Sequence, residues 1–366
     1  MSILSQTTAD LAPAQLFQVK PLTEEDMHHG IVVKSPNWLG DAVMTLPALQ
    51  ALRQMMPEKA PLVVMAPQQV ADLYRLYSGV TYVITLKEAH KSWDKHVFAK
   101  LQAFKFKVGV LFSNSLRDTW QMRMAGISKL YGRAARCRGI LMKRTFKFPK
   151  WKTGTLNESH HANEYLSIVC SMGAKRPEVL MPKLNSKLTM GQLTLKMQSF
   201  CQHPKLLLMA PGAAYGAAKR WDSQKFNQVA AEYIKHGGIV VVLGSKSERL
   251  IGDEVIAGLP ENKAFNISGE TTFSDLYNML RNARACVAND SGIMHLAAAL
   301  GVPGVAVFGP TDYRATGPIS DKWLIVFDKE PCAPCFKRVC PSGSRRCMAK
   351  LSAEEVITAL HKLNVM

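Results

Sequence analysis

The chain has 366 residues, 47% hydrophobic and 20% charged, with a formal net charge of +18. That length suits two domains of roughly 150 residues each, and the composition is that of a globular protein rather than a disordered or fibrous one. No apolar run reaches the roughly 18 residues of a membrane span, and the first residues lack the basic start and apolar stretch of a signal peptide, so a cytoplasmic location is expected.

Taken in order, residues 1–29 read as a polar N-terminal extension ending in Glu24-Glu25-Asp26. Ile31-Val32-Val33 begins a buried strand, and Pro36-Asn37-Trp38-Leu39-Gly40-Asp41 follows as a turn. Val43, Leu46, Leu49 and Leu52 recur at threefold spacing and predict a helix over 42–55, with an irregular start or kink at Pro47. Further strands are expected at 62–65, 80–86 and 108–112, with a helix at 68–76 and a basic helical stretch before the last strand. Continuous apolar strands alternating with helices indicate a parallel sheet covered on both faces.

The pattern weakens over 143–185, which predicts a boundary near 185. A second alternation then begins, with strands expected at 206–209, 239–243, 264–267 and 285–288 and helices at 223–236, 248–258 and 273–282. Asn289-Asp290-Ser291-Gly292-Ile293-Met294-His295 reads as a polar turn entering a short helix, and Gly301 and a buried strand ending at Phe308 follow. The expected organisation is a first Rossmann-like domain over 30–185, a second over 186–330, and a cysteine-rich loop with a final helix over 331–366.

The positive charge is concentrated. Residues 87–152 hold 17 Lys/Arg against 3 Asp/Glu. A patch of this kind favours phosphates, an anionic membrane surface or an acidic glycolipid, unless it is simply a solvated face. No zinc-finger, aromatic RNA-binding or recognition-helix pattern accompanies it, so nucleic acid is not an expected partner. Cys332, Cys335, Cys340 and Cys347 are close enough in sequence to bind zinc or to pair. Their spacing misses the paired CxxC ribbon, however, and the expected compartment disfavours disulfides. No metal site is therefore expected.

Three stretches carry candidate chemistry. In the first, Gly40 permits a tight turn and Asp41 stands near a helix start, as a general base or a helix cap. In the second, Pro211-Gly212-Ala213-Ala214-Tyr215-Gly216-Ala217-Ala218-Lys219-Arg220-Trp221 offers small residues with open backbone amides, then two cations. It is neither a Walker A loop nor a GxGxxG turn, and it serves either as a pyrophosphate cradle or as a basic surface loop. In the third, Asp290 and Ser291 suit a helix start, Gly292 admits close approach, and the free amides form an anion site. His295 lies one turn on, where a packed structural histidine is the plainer role.

These stretches together resemble glycosyltransferase family 9, the ADP-heptose:lipopolysaccharide heptosyltransferases. The resemblance rests on Asn37-Trp38-Leu39-Gly40-Asp41 with Leu46-Pro47-Ala48-Leu49, on Pro211-Gly212-Ala213 through Lys219-Arg220-Trp221, and on Asn289-Asp290-Ser291-Gly292 with His295-Leu296-Ala297-Ala298-Ala299-Leu300-Gly301. Pro331-Cys332-Ala333-Pro334-Cys335-Phe336 resembles the type II branch.

The resemblance implies an α/β GT-B fold, with two Rossmann-like domains facing a cleft, the first for acceptor and the second for donor. It also implies a closing helix that packs back toward the N-terminal domain. The implied reaction is inverting transfer of L-glycero-D-manno-heptose from ADP-heptose to a heptose of the lipopolysaccharide inner core, at the inner membrane surface. No cofactor is implied, beyond a divalent cation in a stimulatory role.

Carried over by position, Asp41 is the base, and Gly212, Ala214, Gly216, Lys219, Arg220, Glu248, Asp290, Ser291, Gly292 and His295 bind the donor. Asn37, Asn114, Ser115 and Arg117 are the expected acceptor contacts. Two things in the sequence depart from the family pattern or map to no role: the N-terminal extension, and Ser342-Gly343-Ser344-Arg345-Arg346. The competing readings are another GT-B nucleotide-sugar enzyme, an epimerase, or a non-catalytic protein that grips anionic glycolipid.

Overall fold

A computed structural model describes residues 2–5, 20–88, 91–142, 144–146, 160–184 and 194–366. Parts of the expected extension, of the basic segment, of the weakly patterned stretch and of the domain boundary lie outside the described residues. The chain divides into two compact units, one of residues 10–188 and one of residues 1–9 with 189–366.

Strand β1 (Ser2–Ser5) belongs to the second unit. The first unit is a six-stranded parallel sheet of β2 (Ile31–Lys34), β3 (Leu62–Pro67), β4 (Tyr82–Leu86), β5 (Val108–Leu111), β6 (Lys129–Arg133) and β7 (Arg144–Phe146). Its order is β4-β3-β2-β5-β6-β7, so the winding reverses between β2 and β5. Both of these strands are buried throughout, as their continuous apolar runs require. Val32, Val63, Met65, Ile84 and Leu111 build the core with Trp93, Val97 and Leu101 from the helical side.

The predicted helix over 42–55 is two helices, Leu39–Met44 and Leu46–Met55, broken at Thr45 with Pro47 in the first turn of the second. Proline has no amide to donate and is tolerated only there.

The second unit is a seven-stranded sheet of β1 with β8 (Leu206–Ala210), β9 (Ile239–Val242), β10 (Ala264–Asn266), β11 (Ala285–Asn289), β12 (Gly304–Phe308) and β13 (Trp323–Phe327). Its order is β1-β13-β12-β11-β8-β9-β10, reversing between β8 and β11. All pairs are parallel except β1, which runs antiparallel to β13.

Both ends of the chain have partners within these units that the sequence does not show. Within the expected N-terminal extension, β1 covers the outer edge of β13, whose backbone groups would otherwise lack strand partners. Further on, Lys20 and Leu22 donate to Ser171 O and Met172 O, and the helix Glu24–Met27 is capped by Thr23. The final helix, Ala353–Lys362, is built into the core of the second unit. Val356, Ala359 and Leu360 pack with Val229, Tyr233 and Val305, because that apolar stripe finds its complement on the adjacent helix and strands. Among the described residues no helix is long and apolar enough to cross a membrane.

Candidate functional site

In an open α/β sheet the crevice for a ligand forms where the winding reverses, at the carboxyl ends of the strands. Each unit places its candidate residues there.

In the second unit, the loop after β8 and the turn after β11 lie side by side. Asn289 holds them together: its Nδ2 donates to Pro211 O at 2.6 Å, and its Oδ1 accepts from the Trp221 amide at 3.2 Å. Lys219 Nζ then meets Asp290 Oδ2 at 2.6 Å, with both side chains buried. The same oxygen accepts from Thr311 Oγ1 at 2.7 Å and Thr316 Oγ1 at 3.3 Å. Ser291 caps the helix Gly292–Ala299 by accepting from the Met294 amide, so the first-turn amides are aimed past Gly292. His295 is buried within that helix.

Two glycines are required by packing. A Cβ on Gly212 would lie 2.1 Å from Glu248 Oε1, and one on Gly216 would lie 2.4 Å from Arg338 O. Glu248 itself closes a capping box: its Oε2 accepts from the Ser245 amide at 2.8 Å and from Ser245 Oγ at 2.7 Å. Its other oxygen rests over Gly212. Ala214 is exposed on the same loop.

The cysteine-rich loop acquires a role here that its sequence does not show. The Ala218 amide donates to Arg338 O at 3.0 Å, Tyr215 Oη donates to Phe336 O at 2.9 Å, and Arg345 Nη1 donates to Arg220 O at 3.2 Å. Lys219 and Arg338 both lie over the Tyr215 ring, at 4.8 and 5.1 Å from its centroid. Arg220 Nε is buried with no hydrogen-bond partner among the described residues. Four cations, Lys219, Arg220, Arg338 and Arg345, therefore converge on one turn, and Asp290 offsets one of them. Such a surplus beside a helix N-terminus suits a polyanion.

The four cysteines are free. Burial and the neighbouring Cys332, Cys335 and Cys340 push the Cys347 thiol up to about 11. Hydrogen bonds from Ser342 and from backbone amides hold Cys340 below its ordinary value. Among the described residues no group of three His, Cys, Asp or Glu is arranged to hold a metal ion.

In the first unit the loops after β2 and β5 meet. Asp41 is the third residue of the helix Leu39–Met44 and is half-buried. The position before that helix is Trp38, which supplies no side-chain cap. Burial and the Asp41 charge together push the Tyr165 phenol well up, and the same two causes raise Tyr74. Asn37 Oδ1 is buried with no hydrogen-bond partner among the described residues. Ser115 caps the helix Leu116–Met124, Asn114 is exposed, and Arg117 Nε lies 3.8 Å from Asp118 Oδ1.

Three residues not foreseen from the sequence underlie this region. Asp118 is buried, accepts from Ser113 Oγ at 2.9 Å and lies 3.9 Å from Lys34 Nζ. Arg138 is fully buried and donates to Ser113 O at 2.6 Å and to Asn114 Oδ1 at 3.4 Å. Burial pulls Lys34 down to about 8 and Arg138 down to about 10, with Asp118 opposing both shifts. A lysine closing the otherwise apolar run Ile31-Val32-Val33-Lys34 was the available signal.

The family model for glycosyltransferase family 9 (heptosyltransferase) matches residues 91–345. The lipooligosaccharide heptosyltransferase 2 of Haemophilus ducreyi is 26% identical over 313 residues, covering 81% of this chain and 88% of that protein. The lipopolysaccharide heptosyltransferase 2 of Escherichia coli K12 is 27% identical over 304 residues, covering 81% and 87%. In three dimensions the chain is similar to the Escherichia coli ADP-heptose lipopolysaccharide heptosyltransferase II, with a TM-score of 0.72 at 24% identity over 91% of this chain and 98% of that one. A family 9 glycosyltransferase from Veillonella parvula gives a TM-score of 0.73 at 20% identity, over 91% and 96%.

Proposed function

The chain belongs to glycosyltransferase family 9, and from that premise we propose that it transfers heptose from ADP-heptose to a heptose of the lipopolysaccharide inner core, at the cytoplasmic face of the inner membrane. The observation that carries this reading is the Lys219–Asp290 pair, set at the reversal point of the second sheet among converging cations and helix amides. That arrangement suits a nucleotide sugar's pyrophosphate, the leaving group of the reaction. Its relatives named heptosyltransferase 2 supply the sugar and the acceptor class.

Asp41 takes the proton from the acceptor hydroxyl while that oxygen bonds to the anomeric carbon. The bond from that carbon to the pyrophosphate oxygen breaks, ADP leaves with the electron pair, and the anomeric centre is inverted. The cations and the amides at Gly292 stabilise the growing charge on ADP. They do the work a divalent metal does elsewhere, so the reaction needs no cofactor and a divalent cation is at most stimulatory. Asn37, Asn114, Ser115 and Arg117 orient the acceptor.

The test is a transfer assay with purified protein, ADP-heptose and a core acceptor truncated at its first heptose. A product heavier by one heptose, with matching ADP release, is expected. Consumption of donor without acceptor, or no transfer from ADP-heptose, overturns the reading.

A further inference from the structure

The helix Leu116–Met124 buries Asp118, Thr119, Gln121 and Met122 and leaves its opposite face bare. On that face Leu116, Trp120 and Met124 recur every fourth residue, Trp120 being 55% and Met124 62% exposed. The turn Arg138–Leu141 packs beside this helix and adds Ile140, 91% exposed. Four large apolar side chains on adjoining elements form a patch of the kind that marks an interaction surface.

Arginines border it. Arg117 and Arg123 flank the stripe on the helix, and Arg136 is exposed just before the turn. Between residues 95 and 157 the only carboxylate is Asp118, and it is buried. Nothing acidic in that stretch offsets the rim.

The geometry points to a membrane-docking face: Leu116, Trp120, Met124 and Ile140 enter the headgroup region of an anionic bilayer while the arginines meet lipid phosphates. Tryptophan favours that depth, and each cation near an anionic leaflet adds attraction. A second copy of the chain is a poor occupant, because a symmetric contact would set arginine against arginine. The patch also runs into the candidate acceptor residues, since Arg138 of the turn bonds Asn114 Oδ1 and Ser113 O. In purpose the inference rests on the proposed function, whose acceptor is lipid-anchored.

The test is co-sedimentation of the full chain with vesicles, without donor or acceptor. Wild type should bind mixed phosphatidylethanolamine–phosphatidylglycerol vesicles, lose binding as salt is added, and ignore pure phosphatidylcholine. The triple variant Trp120→Ser, Met124→Ser, Ile140→Ser should bind at least about tenfold more weakly, with circular dichroism unchanged. Should it fail to fold, Trp120→Ser alone must still weaken binding about threefold. Wild type that ignores anionic vesicles, substitutions that leave binding unchanged, or a wild-type dimer dissolved by them overturns the inference. Vesicle binding by a protein that transfers no heptose overturns only the function.

Discussion

Lys219 Nζ and Asp290 Oδ2 lie 2.6 Å apart and buried, although 71 residues separate them in the chain. Each was expected to face the donor by itself. Paired, they constitute one unit, in which the carboxylate fixes the ammonium and two threonine hydroxyls fix the carboxylate. Removing one member of a buried pair leaves the other uncompensated.

Lys219→Ala should therefore lose stability, by about 3–5 kcal/mol for a stranded buried charge. It should also weaken ADP binding by about 1.5–3 kcal/mol, the worth of a charge-assisted hydrogen bond. Adding Asp290→Asn should restore most of the stability and none of the ADP affinity. Thermal unfolding and calorimetry read the two effects separately. ADP affinity that returns in the double variant removes Lys219 from the phosphate site.

Asp41→Asn should lower turnover by about 10²–10⁴-fold, the usual contribution of a positioned base. ADP affinity should not change, because the donor residues belong to the other compact unit. A helix-capping role predicts a different outcome, since asparagine caps about as well as aspartate. Single-turnover rates beside ADP titrations decide between them. Activity within about threefold of wild type, far below that range, rejects the base assignment.

Lys34 gives a signed pH dependence. Its pKa in the folded chain, about 8, lies below the ordinary lysine value of 10.5 because burial penalises the charge. The unfolded chain therefore binds more protons between those values, and stability rises with pH through that window. Below it the burial penalty is complete, on the order of 3 kcal/mol for a shift of this size. Lys34→Met should lack the rise. Denaturant melts of both proteins across pH 7–10 measure the difference, and parallel curves would show that Lys34 does not titrate there.

The cysteine loop should react unevenly. Cys340, with its thiol held low by hydrogen bonds, should alkylate first, and Cys347, pushed up to about 11 and buried, last. Timed iodoacetamide labelling read by mass spectrometry gives the order. Elemental analysis should find no stoichiometric zinc; about one zinc per chain would make the four thiols its ligands.

Much of the fold was legible in the sequence because local chemistry dictates it. Short apolar runs such as Leu206-Leu207-Leu208-Met209 and Ile239-Val240-Val241-Val242, alternating with helical patterns, read as strands covered on both faces. Ser291 marks a helix start by capping alone, and Pro47 marks an irregularity that the structure resolves into two helices. The loops bearing Asp41, Lys219 and Asp290 could be placed at strand ends because each follows an apolar run. That placement, with the family resemblance, was enough to propose a sugar transfer.

Only the tertiary structure decided which groups meet. The reversal of winding brings β8 against β11 and so turns two separate anion-loop candidates into one ion-paired centre. It brings β2 against β5 and so buries Lys34 with Asp118 and Arg138; the lysine closing an apolar run hints at a buried charge, but nothing local names its partners. Whether an apolar residue is covered is likewise a tertiary matter. Leu116, Trp120 and Met124 share a spacing that packs a helix onto a core, yet here the buried stripe is Asp118, Thr119, Gln121 and Met122. The capped helix turns Asp118 toward Lys34, Gln121 onto the Trp93 amide and Met122 into the core, and leaves Leu116, Trp120 and Met124 outward. Pairing the buried Asp118 carboxylate with Ser113 and Lys34 outweighs the exposure of three apolar side chains on the helix, because an unpaired ion inside costs more than a wetted side chain outside.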